Sequence, residues 1–457
     1  EHNFSVEKTL TLLLDDKKYH SLRDILSTMN PADIAAVFDE LPEGKLPLLF
    51  RLLPKELAAE TFVEMDTDAQ ALLIRGFSDS ELKEVIDELY VDDAVDIVEE
   101  MPANVVQRIL SQADPEMRKQ INEILRYPED SAGSIMTTEY VSLRPNMTVG
   151  EAILRIRRTG IDKETIYTCY VTKGHKLIGL VSVKDLLLCE DDNATIESIM
   201  TDHVITVNTL DDQEQVAQMF SKYDFLALPV VDTENRLVGI VTFDDAMDVM
   251  QDEATEDMEK MAAMLPSEHP YLRSSPFEIW KNRIPWLMLL MISATLTGLV
   301  ITSFEDALGV LPCLTAFIPM LMDTGGNSGS QACVTVIRGI SLDEIEFRDI
   351  FKVVWKEIRV AVLCGICLAV ACFGKIMLLD HMLLRSESAT TWVALVVSLS
   401  MAVTVFLAKL VGGTLPLLAK KLGFDPAVMA SPIITTIVDF LSLLVYFTFA
   451  TTILHIG

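Results

Sequence analysis

Residues 428–449, VMASPIITTIVDFLSLLVYFTF, form an apolar stretch long enough to cross a bilayer as a helix, with one acidic residue near its middle. Polar side chains recur in it at steps of three or four residues, which places them on one helical face. They are Ser431, Thr435, Asp439, Ser442 and Tyr446. A carboxylate at mid-bilayer costs roughly 2.5–3.5 kcal/mol on insertion scales, so this face turns toward protein, water or a cation. The stretch favours a cation pathway, with helix-to-helix hydrogen bonding as the alternative.

The charge is divided unevenly along the chain. Residues 281–457 hold 12 basic and 12 acidic residues, so the whole net charge of −30 belongs to residues 1–280. An acidic region of this kind excludes nucleic acid as an expected partner, because its phosphates would be repelled. It suits a soluble region that meets cations, whereas the remainder carries apolar stretches of bilayer length.

Short amphipathic patterns alternate with turns containing Pro, Asp or Asn in residues 1–130. Four loosely related helices are predicted there, at 35–42, 57–62, 85–89 and 95–102. We expect an α-helical N-terminal domain in which helix pairs stack into a superhelix, as in repeat proteins.

An internal duplication occupies residues 131–250. The tripeptide IMT at 135–137 returns at 199–201, and LIGLVSVKD at 177–185 returns as LVGIVTFDD at 237–245. The two copies, 131–192 and 193–250, each predict the order strand, helix, strand, strand, helix. This pair strongly resembles two CBS domains, an α/β module that often senses adenine nucleotides. The resemblance implies a ribose-binding role for four residues, while many CBS pairs bind no nucleotide. The four are Ser182, Asp185, Thr242 and Asp245.

An acidic connecting helix and an entry to the membrane are predicted for residues 244–280. Eight acids and a single lysine lie within 244–260, interleaved with apolar residues at helical spacing. Like charges at this density repel one another until something positive lies among them. The alternative is a solvated linker helix that binds nothing.

Five apolar spans are predicted within residues 281–457. They are 284–303, 308–336, 358–378, 391–418 and 427–454. Lysine and arginine concentrate before the first span, between the second and third, and after the fourth. By the positive-inside rule, the N-terminal half then lies in the cytosol and the C-terminus outside.

The second span contains PMLMDTGGNSGSQ at residues 319–331. Asp323, Asn327 and Gln331 recur every four residues, which places three oxygen-bearing side chains on one helical face. Glycines four residues apart permit a close helix contact, and the same glycines can free backbone carbonyls to line a cavity. Oxygen ligands suit Mg²⁺, which keeps several of its waters, and no His or Cys cluster favours a softer metal.

Along its full length the chain resembles the MgtE family of magnesium channels and transporters. The matching motifs are the Pro319 to Gln331 run, GTLP at 413–416, and DPA at 425–427 followed by Asp439. The resemblance implies a homodimer in the plasma (inner) membrane, with a pore between the two fifth helices that is lined by the second. It implies passage of hydrated Mg²⁺ down its electrochemical gradient into the cytosol. The implied pore residues are Asp439, Gly326, Asn327, Ser330, Gln331 and Thr435.

The same resemblance implies a gate, in which the acidic connecting helix closes the pore when cytosolic Mg²⁺ is high. Acids from several domains are implied as regulatory Mg²⁺ ligands, with Glu60 the weakest match. They are Asp92, Asp96, Asp212, Glu214, Asp224, Asp245, Asp248, Glu253, Glu256, Asp257, Asp425 and Glu60. Membrane lipid is an expected partner, and ATP is the candidate nucleotide of the CBS pair.

The predicted architecture is a multidomain membrane protein with a superhelical domain (1–130), a CBS pair, a connecting helix and a five-helix transmembrane domain (281–457). Two other function classes stay open. One is a CBS-containing membrane sensor of cations or nucleotides that does not conduct. The other is a membrane enzyme, which the lack of a nucleophile–base pair or phosphate-binding loop disfavours. A sensor needs no polar stripe in the membrane, so Asp439 and the 326–327 pair favour the channel.

Overall fold

The computed structural model describes residues 2–267, 271–272, 274–342, 344–383, 390–429 and 431–456. Contacts within the chain divide it into two compact units, Glu1–Met250 and Gln251–Gly457. The predicted entry to the membrane includes residues 268–270 and 273, which lie outside the described residues.

Short helices build the N-terminal part of the first unit. They are α1 (His2–Asp15), α2 (Tyr19–Leu26), α3 (Pro31–Asp39), α4 (Leu46–Phe50), α5 (Lys55–Val63), α6 (Thr67–Gly76), α7 (Asp79–Ile86), α8 (Val91–Glu100), α9 (Ala103–Gln112) and α10 (Pro115–Ile124). Side chains of Asn30, Asp66, Ser78 and Asp114 accept hydrogen bonds from the first backbone N–H groups of α3, α6, α7 and α10, which fixes where these helices start. Helices pack on helices two positions along, α3 on α5, α5 on α7 and α7 on α9, as expected of stacked helix pairs.

The rest of the first unit contains two copies of one topology. The first copy holds β1 (Tyr140–Leu143), α11 (Val149–Thr159), β2 (Thr165–Lys173), β3 (Lys176–Ser182) and α12 (Val183–Leu188). After α13 (Ile196–Ile199), the second holds β4 (Val207–Asn208), α14 (Gln213–Tyr223), β5 (Ala227–Val231), β6 (Leu237–Thr242) and α15 (Phe243–Met261). In each three-stranded sheet the first pair of strands is parallel and the second antiparallel. The predicted order of strands and helices is present in both copies.

The repeated motifs join the two copies to each other. The backbone of Thr137 exchanges two hydrogen bonds of 2.8 and 2.9 Å with Ile240, and Thr201 does the same with Leu180 at 2.9 and 3.0 Å. A Cβ at Gly239 would lie 2.7 Å from the sulfur of Met136, so only glycine leaves room for this crossing. The duplicated sequence therefore encodes a duplicated contact.

The second unit is mainly helical. Its longer elements are α16 (Pro276–Ser303), α17 (Glu305–Val310), α18 (Ile318–Ser341), α19 (Ile350–Lys375), α20 (Thr391–Lys421) and α21 (Ser431–Leu454). Among the described residues, four helical segments are long and apolar enough to cross a membrane: Pro276–Ser303, Phe347–Met382, Thr391–Lys421 and Pro426–Leu454. The other predicted span, 308–336, covers the end of α17, a 3-10 helix (Pro312–Phe317) and most of α18. Its glycines and polar side chains make α18 less apolar than the other four.

Helix α20 lies at the centre of the second unit, where it packs on α18, α19 and α21. In its apolar stretch 61% of residues are buried, against 6% in α16. Gly412 of α20 lies so close to the backbone of Gly329 in α18 that a Cβ there would overlap it. The hydroxyl of Tyr446 donates a 2.9 Å hydrogen bond to the backbone oxygen of Leu314, which holds α21 to the segment before α18.

Candidate functional site

Helices α18 and α21 meet along the glycine run. A Cβ at Gly326 would lie 2.9 Å from the side chain of Thr435, and one at Gly329 would lie 2.7 Å from that of Ile434. The absence of side chains on α18 therefore allows the backbones of the two helices to approach closely. The structure brings Gly326 and Thr435 together, and Asp439 follows on α21 one turn after Thr435.

The polar side chains of α18 form one exposed face. Asp323, Asn327 and Gln331 are all exposed, whereas the glycines between them are buried against α20 and α21. The side-chain amide of Asn327 donates a 3.1 Å hydrogen bond to the carboxylate of Asp323. The four-residue spacing predicted this shared face. We call these three residues the α18 polar face.

Asp439 is half-buried on α21, and the charge of Asp323 is close enough to repel it. Neighbouring hydroxyls bond to their own helix: Ser442 donates to the backbone oxygen of Asp439, and Thr435 donates to that of Pro432, both at 2.9 Å. The side chain of Ser431 lies outside the described part. Tyr446, at the far end of the predicted stripe, is buried and bonds to Leu314 instead. The predicted stripe is therefore half-buried at Thr435 and Asp439 and forms a helix contact at Tyr446.

A second group of carboxylates lies within the second unit, at the C-terminal end of α15. The Lys260 ammonium is 2.6 Å from a carboxylate oxygen of Glu256 and 2.7 Å from one of Asp425. The hydroxyl of Ser341 donates a 3.4 Å hydrogen bond to Asp257. Burial and the charge of Asp425 raise the pKa of Asp257 above its usual value. We call Glu256, Asp257, Lys260 and Asp425 the α15 docking cluster; it unites three of the predicted regulatory acids.

Apolar packing supports the same docking. Met261, directly after Lys260, packs against a buried cluster contributed by three helices. Its members are Cys333 and Ile337 of α18, Ala408 of α20, and Ile434 and Val438 of α21. The end of the acidic helix is thereby attached to both helices that carry the polar residues.

Within the first unit, α8 and the start of α15 bring acids together. Asp92 is 7% exposed, and burial followed by the charge of Asp245 raises its pKa well above the usual value. The same causes raise the pKa of Asp93 to about 7, and burial raises that of Asp245 to about 6. Burial and the charge of Asp93 raise the pKa of Glu164 to about 8. These acids favour their neutral forms unless a positive ion joins them. We call Asp92, Asp93, Glu164 and Asp245 the α8 acid cluster.

Sequence reasoning missed two members of this cluster. Asp93 was not predicted, although its neighbour Asp92 was. Glu164 has no local signal, because its position depends on contacts between distant segments. Asp96 lies nearer the surface, where partial removal from water and the charge of Asp245 raise its pKa to about 7. Asp248 has a pKa raised by burial and by Asp244.

The remaining predicted ligands have local structural roles or are exposed. Asp212 accepts hydrogen bonds from the backbone of Glu214 and Gln215 and so caps α14, and Asp224 ends that helix with a left-handed φ of 55°. Glu60 is exposed on α5. Within the described residues, no three His, Cys, Asp or Glu side chains lie close enough together to hold a metal ion. Any ion bound by these acids would keep part of its water shell, as Mg²⁺ does.

The four predicted nucleotide residues cap helices in the structure. Ser182 and Asp185 form a capping box at the start of α12, with their side chains 2.6 Å apart. The Thr242 hydroxyl donates a short hydrogen bond to Asp245 at the start of α15. The two motifs therefore have equivalent places in the two copies.

Family models match three parts of the chain. The model described as MgtE, a divalent cation transporter, matches residues 318–449, and that of the MgtE intracellular N domain matches 29–130. The CBS domain model matches residues 132–190 and 196–252.

Relatives that match along nearly the whole chain and two solved structures agree with these family models. The magnesium transporter MgtE of Thermus thermophilus is 37% identical over 448 residues, which cover 97% of each chain. That of Bacillus subtilis is 32% identical over 448 residues, 98% of this chain and 97% of the relative. A crystal structure of the cytosolic domain of the Mg²⁺ channel MgtE in complex with ATP is 38% identical, with a TM-score of 0.51, and covers 53% of this chain and 99% of that one. A structure of the soluble part of a magnesium transporter is 32% identical, also with a TM-score of 0.51, over 55% of this chain and 99% of that one.

Proposed function

The chain belongs to the MgtE family of magnesium transporters, and we propose that it is a Mg²⁺-selective channel that passes the hydrated ion down its electrochemical gradient into the cytosol. The observation that carries the proposal is the α18 polar face, which lies uncovered beside the Asp439-bearing helix. Relatives are named as transporters, which favours transport over an enzymatic activity. A non-conducting sensor would have no need of this face.

The α18 polar face supports a pore between two copies of the chain. One carboxylate and two amides on a membrane helix are too costly to expose to lipid, so they face water or a second subunit. A twofold axis beside α21 would place the same surface of a second copy opposite, since closed dimers use the same patch twice. The proposed pore residues are Asp439, Gly326, Asn327, Ser330, Gln331 and Thr435. The protein would then act as a homodimer embedded in membrane lipid.

The chemistry of these residues suits an ion that keeps its water. Mg²⁺ loses its waters reluctantly and is usually held by one or two carboxylates. Two copies of Asp439 would supply two negative charges, while amides and backbone oxygens would bond to the water shell. Softer metals prefer thiolate or imidazole ligands, which none of the proposed pore residues supplies.

We propose five membrane helices, with the polar α18 as the pore-lining span beside the four apolar segments. Basic residues at the alternate ends of the helices then place the N-terminal half in the cytosol and the C-terminus outside, in the plasma (inner) membrane. The proposed domains are 1–130, the CBS copies 131–192 and 193–250, the connecting region 244–280 and the transmembrane domain 281–457.

We propose that cytosolic Mg²⁺ closes this channel through the acidic soluble half. At 0.15 M salt the Debye length is about 8 Å, so acids brought within that distance repel one another strongly. Mg²⁺ that bridges them would stabilise the compact, closed arrangement by mass action. The α8 acid cluster and the α15 docking cluster support this role because acids within each of them repel one another. The proposed ligands are Asp92, Asp96, Asp212, Glu214, Asp224, Asp245, Asp248, Glu253, Glu256, Asp257, Asp425 and Glu60.

ATP is the proposed nucleotide of the CBS pair, at Ser182, Asp185, Thr242 and Asp245. The solved cytosolic domain that is described as an ATP complex supports the proposal.

Reconstitution tests the proposal as a whole. Purified protein in liposomes loaded with a Mg²⁺ indicator should conduct Mg²⁺, and rising Mg²⁺ on the side of the soluble half should stop the flux. Neutralising Asp248, Glu253, Glu256 and Asp257 together should abolish this closure and preserve conduction. Liposomes without flux under any Mg²⁺ concentration would favour the non-conducting sensor.

A further inference from the structure

A charged side chain lies inside the second unit, between the helices that form the proposed pore. Lys409 of α20 is 4% exposed, and its Nζ donates a 3.3 Å hydrogen bond to the backbone oxygen of Ser328 in α18. A buried ammonium group in a membrane helix is costly unless polar groups surround it. An ionisable side chain buried among membrane helices is therefore a candidate functional residue.

Ser328 lies within the proposed pore-lining segment. It directly follows Asn327, a member of the α18 polar face, and directly precedes Gly329. The Ser328 side chain is itself buried, so this part of α18 is turned toward α20. A bond to the Ser328 carbonyl therefore holds α18 at a buried position next to its exposed polar face.

The backbones of α18 and α20 lie very close together around Lys409. A Cβ at Gly329 would lie 3.2 Å from the backbone oxygen of Ala408, the residue before Lys409. Gly412, less than one turn further along α20, lies against the Gly329 backbone. Few side chains separate the two backbones at this point. The bond from Lys409 to the Ser328 carbonyl adds a polar contact that restrains rotation of α18 about its own axis.

A carboxylate of a third helix, α19, lies near enough to Lys409 to be attracted by its positive charge. Glu357 of α19 is half-buried, and the positive charge of Lys409 attracts it. A Cβ at Gly413 would lie 2.9 Å from Cγ of Glu357, so this side chain rests directly on α20, one turn after Lys409. Opposite charges attract each other more strongly in a low-dielectric interior than in water. Glu357 therefore offsets part of the positive charge of Lys409 from the α19 side.

We propose that Lys409 is a positioning residue of the pore: its ammonium, compensated by Glu357, holds the Ser328 carbonyl and sets the rotation of α18 that presents Asn327 and Gln331 to the ion. This inference rests on the proposed channel function. A hydrated ion is distinguished by the spacing of the groups that bond to its waters, so a small rotation of α18 changes selectivity more than it changes folding.

Lys409→Met tests the inference, because methionine keeps an unbranched chain and removes the donor and the charge. In liposomes, the Mg²⁺-to-Ca²⁺ flux ratio should fall about tenfold, equivalent to ~1.4 kcal/mol of differential binding. Lys409→Arg should retain most of the ratio, and Glu357→Gln should lower it in the same direction. Lys420→Met, at the exposed end of the same helix, is the matched control and should leave the ratio unchanged.

The outcomes separate this inference from the channel itself. A wild-type protein without Mg²⁺ flux would contradict the proposed function, whereas a conducting wild type and a monodisperse Lys409→Met protein with the wild-type ratio would overturn the role of Lys409 alone. Where Lys409→Met does not yield folded protein, Glu357→Gln carries the test. A wild-type ratio in that variant also overturns the proposal.

Discussion

The ammonium of Lys260 lies 2.7 Å from a carboxylate oxygen of Asp425, the residue that shortly precedes α21. The same ammonium is 2.6 Å from Glu256 one turn earlier on α15. Two nearby carboxylates raise the pKa of Lys260 above its usual value, so it remains charged across the physiological pH range. Lys260 thus occupies the space between two proposed Mg²⁺ ligands as a cation attached to the chain.

Lys260→Gln should make docking of α15 more dependent on Mg²⁺. Without the ammonium, Glu256 and Asp425 repel each other, and a partly exposed ion pair contributes up to about 1 kcal/mol. Limited proteolysis after α15 should therefore be roughly fivefold faster in the variant without Mg²⁺, and equal to the wild type at saturating Mg²⁺. Lys260→Arg, which keeps the charge, is the control. Equal cleavage of Lys260→Gln and the wild type without Mg²⁺ would show that this lysine does not hold the helix.

The α8 acid cluster predicts a pH dependence. An acid whose pKa is higher in the folded protein than in the unfolded chain stabilises the fold below its unfolded pKa, and that stability is lost as the pH rises through the folded value. Asp93 has a folded pKa of about 7 and Glu164 of about 8. Without Mg²⁺, the free energy of local opening of α8 should therefore fall between roughly pH 4 and pH 8, by about 2 kcal/mol.

Hydrogen exchange of the full-length protein measures this opening, after correction for the intrinsic pH dependence of exchange. Saturating Mg²⁺ should restore protection of α8 at high pH. The bound ion would then offset the negative charge of the acids, as protons do at low pH. Asp93→Asn should weaken the pH dependence, whereas Asp87→Asn, which removes an exposed acid paired with Lys83, should not. Protection of α8 that stays constant with pH would contradict the raised pKa values.

The proposed role of Thr242 in ATP binding can be tested separately from its role at the start of α15. Thr242→Val keeps the shape of the side chain and removes a hydroxyl that is buried at the start of α15. If this hydroxyl also contacts a ribose, ATP binding measured by calorimetry should weaken about tenfold, equivalent to ~1.4 kcal/mol. Ser78→Ala removes a capping box far from the CBS pair and controls for loss of a cap alone. ATP affinity unaffected by Thr242→Val would assign Thr242 to capping only.

Local patterns predicted those features that depend on helical spacing or on repetition. The four-residue spacing of Asp323, Asn327 and Gln331 is enough to place them on one face, whatever the rest of the fold. The glycines of α18 predicted a close helix contact, and its partner in the structure includes Thr435. The duplicated motifs around Gly179 and Gly239 likewise predicted two copies of one topology.

Features that depend on distant segments could not be predicted in this way. Lys409 bonds to Ser328, a residue 81 positions earlier, so no local pattern in the sequence could indicate this contact. Glu164 joins the α8 acid cluster through the packing of the first CBS copy. The pattern of acids in α15 predicted repulsion, but the place of Lys260 between Glu256 and Asp425 follows from tertiary contacts alone.

Mg²⁺ flux through Asp439→Asn tests the central claim most directly. Asparagine keeps the size of the side chain and removes the negative charge, so the protein should fold while the electrostatic attraction for a divalent cation is lost. In liposomes we expect Mg²⁺ flux to fall roughly a hundredfold, with Asp306→Asn, an exposed acid of α17, as a control that conducts normally. Wild-type flux and selectivity in a folded Asp439→Asn protein would contradict the assignment of Asp439 to the ion pathway.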